Sequence, residues 1–243
     1  MRAMILAAGL GTRLMPLTEN KPKVLMEVNG VPLLRYIIHK LSASGFDDIV
    51  INIHHFAARI VDFVENERYS GIRVRFSDER EKLLDTGGAI LHARELLEDA
   101  PAFLVYNGDI LSNLDLNRLY LKHFKEGNLA TLAVKERETT RNFLFNKENQ
   151  LIGWKNEMTG EILYSKNDKV ASSLAFSGIH VISSRIFELF TESDVFSMTG
   201  TYLRLARFHQ IKAFIHNEDD WMDIGSIERL RKTQAHVKEH GFP

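Results

Sequence analysis

Leu6-Ala7-Ala8-Gly9-Leu10-Gly11-Thr12-Arg13 decides how this chain is read. The stretch leaves a short apolar run, residues 3–7, that reads as a buried strand. Glycines then let bare backbone approach a phosphate, and exposed N–H groups there can form an anion-binding nest. A tight strand-to-helix turn would use the same glycines, so the context must separate the two. A dinucleotide-binding fingerprint needs a third glycine opening a helix. That place holds Leu14, and Pro16 would break the helix. A P-loop string, G-x-x-x-x-G-K-[ST], does not occur. Instead the chain continues into a loop over residues 12–23, carrying Arg13, Lys21 and Lys23 around Pro22. Cations after a glycine turn at a strand's C-terminal end suit a phosphate cradle, because open α/β sheets bind ligands there.

Beyond that loop, two periods alternate. Leu34, Ile37, Ile38 and Leu41 recur at helical spacing, with Pro32 suited to the first turn and Gly45 to the stop. Ile49-Val50-Ile51-Asn52-Ile53 reads as a strand, residues 60–64 as a helix, and Ile72-Arg73-Val74-Arg75-Phe76 as a strand. A third helix spans Ile90, Ala93, Arg94 and Leu97, and Phe103-Leu104-Val105-Tyr106 is a buried run ending at Asn107-Gly108-Asp109. This βαβαβαβ order predicts an α/β fold with a mostly parallel sheet and helices on both faces. Further on, residues 115–126, 201–208 and 227–237 read as helices, and 129–134 and 174–182 as strands. The polar stretch 135–173 reads as a β-excursion with short strand-like pieces. No repeat or linker interrupts the chain, which predicts one domain over 1–243.

Composition excludes whole classes of function. Lys+Arg 31 against Asp+Glu 32 leaves a net charge of −1, which argues against nucleic acid and against anionic lipid as partners. With no cysteine there is no disulfide, thiolate nucleophile or zinc ribbon. No run approaches the ~20 apolar residues of a membrane span, so the expected location is cytoplasmic. No G-x-S-x-G elbow occurs. His236-Val237-Lys238-Glu239-His240 fits an H-x-x-E-H zinc pattern, but a solvated terminal helix turn is the better reading.

The G-x-G-T-R…P-K string, completed by Pro22-Lys23, resembles the signature of the sugar-1-phosphate nucleotidyltransferases. Leu84-Asp85-Thr86-Gly87-Gly88-Ala89-Ile90 resembles that family's base-contacting loop. Asn107-Gly108-Asp109 resembles its metal-binding strand end, Phe176-Ser177-Gly178-Ile179 its sugar-site strand, and Trp221-Met222-Asp223-Ile224-Gly225 its second metal aspartate. The resemblance covers nearly the whole chain. It implies a three-layer αβα, Rossmann-like (GT-A-like) fold with a mixed, mostly parallel sheet. The nucleotide-binding part would lie at about 1–112 and the sugar-binding part at about 113–243. Within the family, the short length and the L-[DE]-T-G-G string are most similar to members that uridylylate N-acetylmuramate 1-phosphate. Members using GTP with mannose or heptose 1-phosphate are the rival. A non-catalytic nucleotide-sugar sensor on the same fold is disfavoured by intact Arg13, Lys23, Asp109 and Asp223.

The resemblance also assigns roles. It implies Arg13, Lys23 and Asp109 as catalytic residues, and Leu6, Ala8, Gly9, Gly11, Thr12, Gly87 and Gly88 as nucleotide-binding. Asn107 and Gly178 would bind the sugar, and Asp109 with Asp223 would hold Mg²⁺. The chemistry fits, because Mg²⁺ is typically held by one or two carboxylates plus substrate phosphates. A phosphate monoester is largely ionised at neutral pH, its second pKa being ~6, so the reaction needs charge neutralisation and alignment rather than a base. Asp109 alone could be a turn former, and Thr86 could simply cap a helix. One departure stands out. Many family members carry a Glu-Lys pair shortly before the sugar-site strand, where this chain has Val170-Ala171-Ser172-Ser173. Lys155, Lys166, Lys169 and Arg141 are the candidate replacements for that lysine.

Overall fold

Strand β1 (Arg2–Leu6) is buried at Ala3, Met4 and Ile5 because it lies beside β4 (Asp48–Ile53). The computed structural model describes every residue, Met1–Pro243. The chain divides into two compact units, one formed by Met1–Leu83, Tyr106–Asp115 and Asp219–Pro243, the other by Leu84–Val105 and Leu116–Glu218.

In the first unit β1, β4 and β5 (Arg73–Asp78) run parallel, in register from Arg2↔Asp48 to Leu6↔Asn52 and from Asp48↔Arg73 to Ile53↔Asp78. Parallel neighbours need crossovers. These are α1 (Leu33–Ala43) and α2 (Ala57–Glu67). Helix α1 buries Leu33, Leu34, Ile37, Ile38 and Leu41, the stripe expected from its spacing. Pro32 stands just outside its first turn, and Gly45, at φ +80°, follows its last. Asp48 accepts from Arg2 Nε at 2.9 Å and from both Arg75 Nε and Nη2, which ties the N-terminal ends of the three strands. A small hairpin, β2 (Glu27–Val28) and β3 (Val31–Pro32), turns through Asn29-Gly30, both at positive φ as a two-residue turn demands.

The same unit contains β7 (Ile110–Ser112), β14 (Trp221–Asp223) and α7 (Ile227–His240). β7 and β14 pair antiparallel, with Asp223 opposite Ile110. Leu14, Met26, Val28, Leu33, Leu111, Ile224, Leu230 and Val237 form one buried cluster against Tyr36, Met222 and Ile227. Leu14, the residue that broke the dinucleotide fingerprint, is thus an anchor. Burying a leucine stabilises by roughly 1.5–3 kcal/mol, enough to seat the glycine loop on the C-terminal segment. Ser226 caps α7 by accepting from Arg229 N–H.

The second unit holds α3 (Asp85–His92), α4 (Arg94–Leu97) and most of β6 (Ala102–Asn107). Then come α5 (Leu116–Glu126), β8 (Ala130–Lys135), β9 (Arg141–Phe145), β10 (Leu151–Asn156) and β11 (Ile162–Tyr164). β12 (Ser172–Ser183), α6 (Met198–Leu205) and β13 (Ile211–Ile215) complete it. The strand order β11-β10-β9-β12-β6 is joined by β8, which pairs with β12 and β13. The polar stretch 135–173 is the antiparallel meander β9-β10-β11. Helix α6 begins earlier than periodicity suggests, because Ser197 Oγ accepts from Thr199 N–H and starts it there. The α/β architecture with a mixed sheet and flanking helices is the one the sequence predicts.

Candidate functional site

The glycine loop leaves β1 at Leu6, and Gly108 holds its base. Gly108 N–H donates to Leu6 O at 2.9 Å, and a Cβ on Gly108 would sit 2.8 Å from that oxygen. Only glycine lets the link between β6 and β7 come this close. Asn107 and Asp109 flank it, both half-buried. Gly11 has φ +66° and its carbonyl accepts from the buried Thr18 hydroxyl at 2.8 Å. Gly9 and Thr12 are exposed, while Ala8 is buried. Short 3-10 turns at Thr12–Leu14 and Lys23–Leu25 bend the cation-bearing loop back on itself.

The three cations of that loop have separate fates. Lys21 pairs with Glu27 at 2.7 Å. Lys23 Nζ bonds Asp109 Oδ2, with both side chains at least three-quarters buried. Arg13 has no ion pair, and its guanidinium lies against Gly225, whose added Cβ would meet Arg13 Nη2 at 3.3 Å. Lys23 and Arg13 therefore carry the positive face of the site, and Lys21 stands outside it.

Asp109 and Asp223 are brought together by backbone pairing. Ile224 N–H donates to Asp109 O at 2.9 Å, next to the Asp223↔Ile110 pair. Asp223 Oδ1 accepts from Gly225 N–H at 2.9 Å, and its Oδ2 is bonded by Arg229 Nη1. Burial pushes the Asp223 carboxyl up. The hydrogen bonds from Arg229 and Gly225 and the charges of Arg229 and Lys23 outweigh it, so the net direction is down. The carboxylate is ionised at neutral pH. Arg229 is a site residue that sequence reading missed. Its only signal was a cation in the first turn of the helix after Asp223.

Two carboxylates with oxygen donors only, and no soft ligand, suit Mg²⁺. No group of three or more His, Cys, Asp or Glu side chains is placed to hold a metal anywhere in the chain. The donor set therefore fits an ion that substrate phosphates help to hold, not a closed protein cage. A Cβ at Gly225 would lie 2.8 Å from Asp223 Oδ1, so glycine keeps the space beside that carboxylate open. His236 and His240 stack at 4.6 Å on α7 and form no such cluster.

Within the second unit, Gly87 and Gly88 pack against residues 194–196. Both amides donate to Phe196 O, at 2.9 and 3.2 Å. An added Cβ would collide with the Phe196 ring at Gly87 and with Asp194 O at Gly88. Thr86 does not cap the helix it opens. Its hydroxyl accepts from Met198 N–H at 3.1 Å and so serves the start of α6. Asp85 takes φ +58° at the entrance of α3, a conformation that no sequence signal announced. Gly178, at φ +74°, sits where the β12–β8 register shifts between Phe176 and His180. Beside it Ser177 Oγ bonds His216 Nε2 at 2.7 Å, and His180 Nδ1 meets Tyr202 OH at 3.2 Å, all buried. Of the candidate sugar-side cations, Lys155 pairs with Glu157 at 2.6 Å, and Lys166 acts on the Asp168 carboxylate. Arg141 is exposed at the start of β9, and its side chain has no hydrogen bond or ion pair.

Comparison with known proteins places these features in one family. A family model described as nucleotidyl transferase matches residues 2–240. An N-acetylmuramate alpha-1-phosphate uridylyltransferase from Neisseria meningitidis is 28% identical, covering 97% of this chain and 97% of its own. A D-glycero-alpha-D-manno-heptose 1-phosphate guanylyltransferase from Aneurinibacillus thermoaerophilus is also 28% identical, over 99% and 100%. Among solved structures, HddC from Yersinia pseudotuberculosis complexed with GMP-PN is similar, with TM-score 0.76 and 25% identity over 97% of this chain and 99% of that one. No helix is long and apolar enough to cross a membrane.

Proposed function

The chain belongs to the nucleotidyl transferase family and is a sugar-1-phosphate nucleotidyltransferase, and from that premise we propose UTP and N-acetylmuramate 1-phosphate as its substrates. A phosphate oxygen of the sugar phosphate attacks the α-phosphorus of the triphosphate. The new P–O bond forms as the α–β bridge breaks, and pyrophosphate leaves with that electron pair. The nucleophile is ionised already, so no side chain must take a proton. The difficulty is repulsion between two anions, and the chain's own residues address it. The glycine-loop amides from Ala8 to Thr12 line the triphosphate, and the Lys23 ammonium neutralises charge near the α-phosphate. Arg13 takes the departing pyrophosphate. Asp109 and Asp223 would hold Mg²⁺, which supplies charge neutralisation at the phosphates when bound. The observation that carries this reading is the pairing of β7 with β14, which sets two carboxylates beside Lys23 and Arg13 in a single unit.

On the sugar side, N-acetylmuramate bears a lactyl carboxylate that neutral hexoses lack. Arg141 meets that demand, since its guanidinium carries no competing partner and sits on the strand paired with β12. Arginine binds a carboxylate in a bidentate manner better than lysine does. The rival substrate pair is GTP with a heptose 1-phosphate, favoured by a full-length relative of equal identity. A pyrophosphate-release screen crossing four nucleoside triphosphates with N-acetylmuramate, N-acetylglucosamine, mannose and heptose 1-phosphates decides. Turnover with UTP and the acidic sugar, abolished by EDTA and restored by Mg²⁺, is expected. Turnover with GTP alone overturns the uridylyl assignment.

A further inference from the structure

Beneath the glycine loop runs a buried hydrogen-bonded chain that no role above includes. Ala7 N–H donates to Asn52 Oδ1 at 2.6 Å, and Asn52 Nδ2 donates to Glu79 Oε1 at 2.8 Å. Both residues are 3% exposed. Glu79 is pinned at its backbone, where its N–H donates to Ile53 O at 2.8 Å and its carbonyl meets His54 Nδ1 at 2.6 Å. A carbonyl can only accept, so His54 carries its proton on Nδ1. The Asn52 amide has one possible orientation, with its oxygen to the Ala7 amide and its nitrogen to the carboxylate.

A sheet interior does not need these groups. Asn52 interrupts Ile49-Val50-Ile51 and Ile53, all buried and apolar, and burying an amide and a carboxyl costs free energy unless they are bonded. The bond to Ala7 also goes to a telling place. Ala7 is the first residue beyond β1 and leads directly into Ala8-Gly9-Leu10-Gly11. Its peptide plane sets the direction in which the following amides point.

We propose that Asn52 and Glu79 are positioning residues for catalysis: through the Ala7 amide they aim the glycine loop at the nucleotide phosphates. The inference rests on the phosphate-cradle reading of that loop. Neither residue touches the substrate, and both act through Ala7.

The test uses Asn52→Asp, Glu79→Gln and the double variant. Asn52→Asp keeps an acceptor for Ala7 but sets two carboxyl groups against each other. Misplacing reacting groups by about 1 Å can cost ~10² in rate, and kcat/KM for the nucleotide is expected to fall by about that much. KM for the sugar phosphate should not change. The loss should shrink toward acid pH, where the two carboxyl groups can share a proton. Glu79→Gln should lose activity severalfold. In the double variant the new glutamine amide donates to the new carboxylate, restoring the chain with that bond reversed. Nucleotide kcat/KM is then expected to recover at least about tenfold over Asn52→Asp, roughly the 1.4 kcal/mol of one regained buried hydrogen bond.

A fully active Asn52→Asp, or a double variant no better than it at equal Tm, overturns the proposal. If Asn52→Asp does not fold, amide exchange in Asn52→Ala decides. The Ala7 N–H should exchange faster while Ile5 and Ile51 stay protected, and unchanged protection at Ala7 overturns the proposal. Arg13→Ala separates this from the cradle itself. An unaltered nucleotide KM there removes the cradle reading, whereas failure of the Asn52 series with Arg13→Ala impaired removes this proposal alone.

Discussion

Ile224 N–H donates to the carbonyl of Asp109 at 2.9 Å, and this backbone bond, continuing the β14–β7 pairing, ties the turn that carries Asp109 to the strand end that carries Asp223. Both carboxylates already face cations, Asp109 facing Lys23 and Asp223 facing Arg229. With Lys23 and Arg229 paired and Arg13 unpaired, the site holds one positive charge in excess before any substrate arrives, and an incoming polyanion that recruits Lys23 must exchange it from Asp109.

Asp109→Asn tests that exchange directly. The amide is isosteric, so the strand pairing survives and the Tm stays close to wild type. Removing one preorganised electrostatic contact of this kind typically costs ~10²–10³ in rate, and pyrophosphate release should fall by at least that much. Near-normal turnover with Mg²⁺ present would remove Asp109 from the mechanism.

Gly225→Ala probes crowding. Its methyl would stand 2.8 Å from Asp223 Oδ1 and 3.3 Å from Arg13 Nη2, so both groups must shift. Gly225 has no positive φ, and the backbone tolerates alanine. Activity should drop by about 10²-fold with little loss of Tm, because a small misplacement is costly to catalysis. Steady-state kinetics beside a thermal melt read both quantities.

Arg141→Ala should erase sugar selectivity rather than chemistry. The expected result is a loss in kcat/KM for N-acetylmuramate 1-phosphate of about 10–10²-fold, worth ~1.5–3 kcal/mol for a charge-assisted hydrogen bond. Turnover of N-acetylglucosamine 1-phosphate should change little. Equal losses on the two sugars would rule out recognition of the carboxylate.

Stability should fall on mild acidification. Burial lowers His180 to about 3, and burial helped by nearby cations lowers His123 and His216 to about 4. An unfolded histidine binds a proton near pH 6.5 and these folded ones do not. Their contribution to stability is therefore complete above pH 6.5 and is lost as pH falls from there toward their folded values. Each histidine adds a slope of up to ~1.4 kcal/mol per pH unit in that window. Denaturant titrations at pH 7.5, 6 and 5 should show it, and His180→Phe should flatten the profile. A flat wild-type profile would mean that these rings are hydrated in solution.

The α/β order, the glycine loop and its cations were legible because their signals are local. Apolar periodicity follows from which side of an element meets the core, and Gly11 and Gly108 are dictated by contacts within a few ångströms of backbone. The candidate residues Arg13, Lys23, Asp109 and Asp223 were legible through a resemblance of short motifs. Their meeting was not, because it depends on β7 pairing with β14. Strands of three residues carry too little pattern to be read.

Other features belong to the folded chain. That the Gly87 and Gly88 amides both donate to the Phe196 carbonyl follows from where Phe196 lands, far along the chain. That Lys21 pairs with Glu27 while Lys23 meets Asp109 follows from how the 3-10 turns fold the loop back. Asn52 is a flaw in an apolar strand until its partners, Ala7 and Glu79, are seen at β1's exit and beyond β5. Local sequence dictates which elements form and which chemistry they can offer, since propensity and burial act over a few residues. Which charges neutralise one another is settled in three dimensions, because a Coulomb or hydrogen-bond partner is set by distance in space and not by separation along the chain.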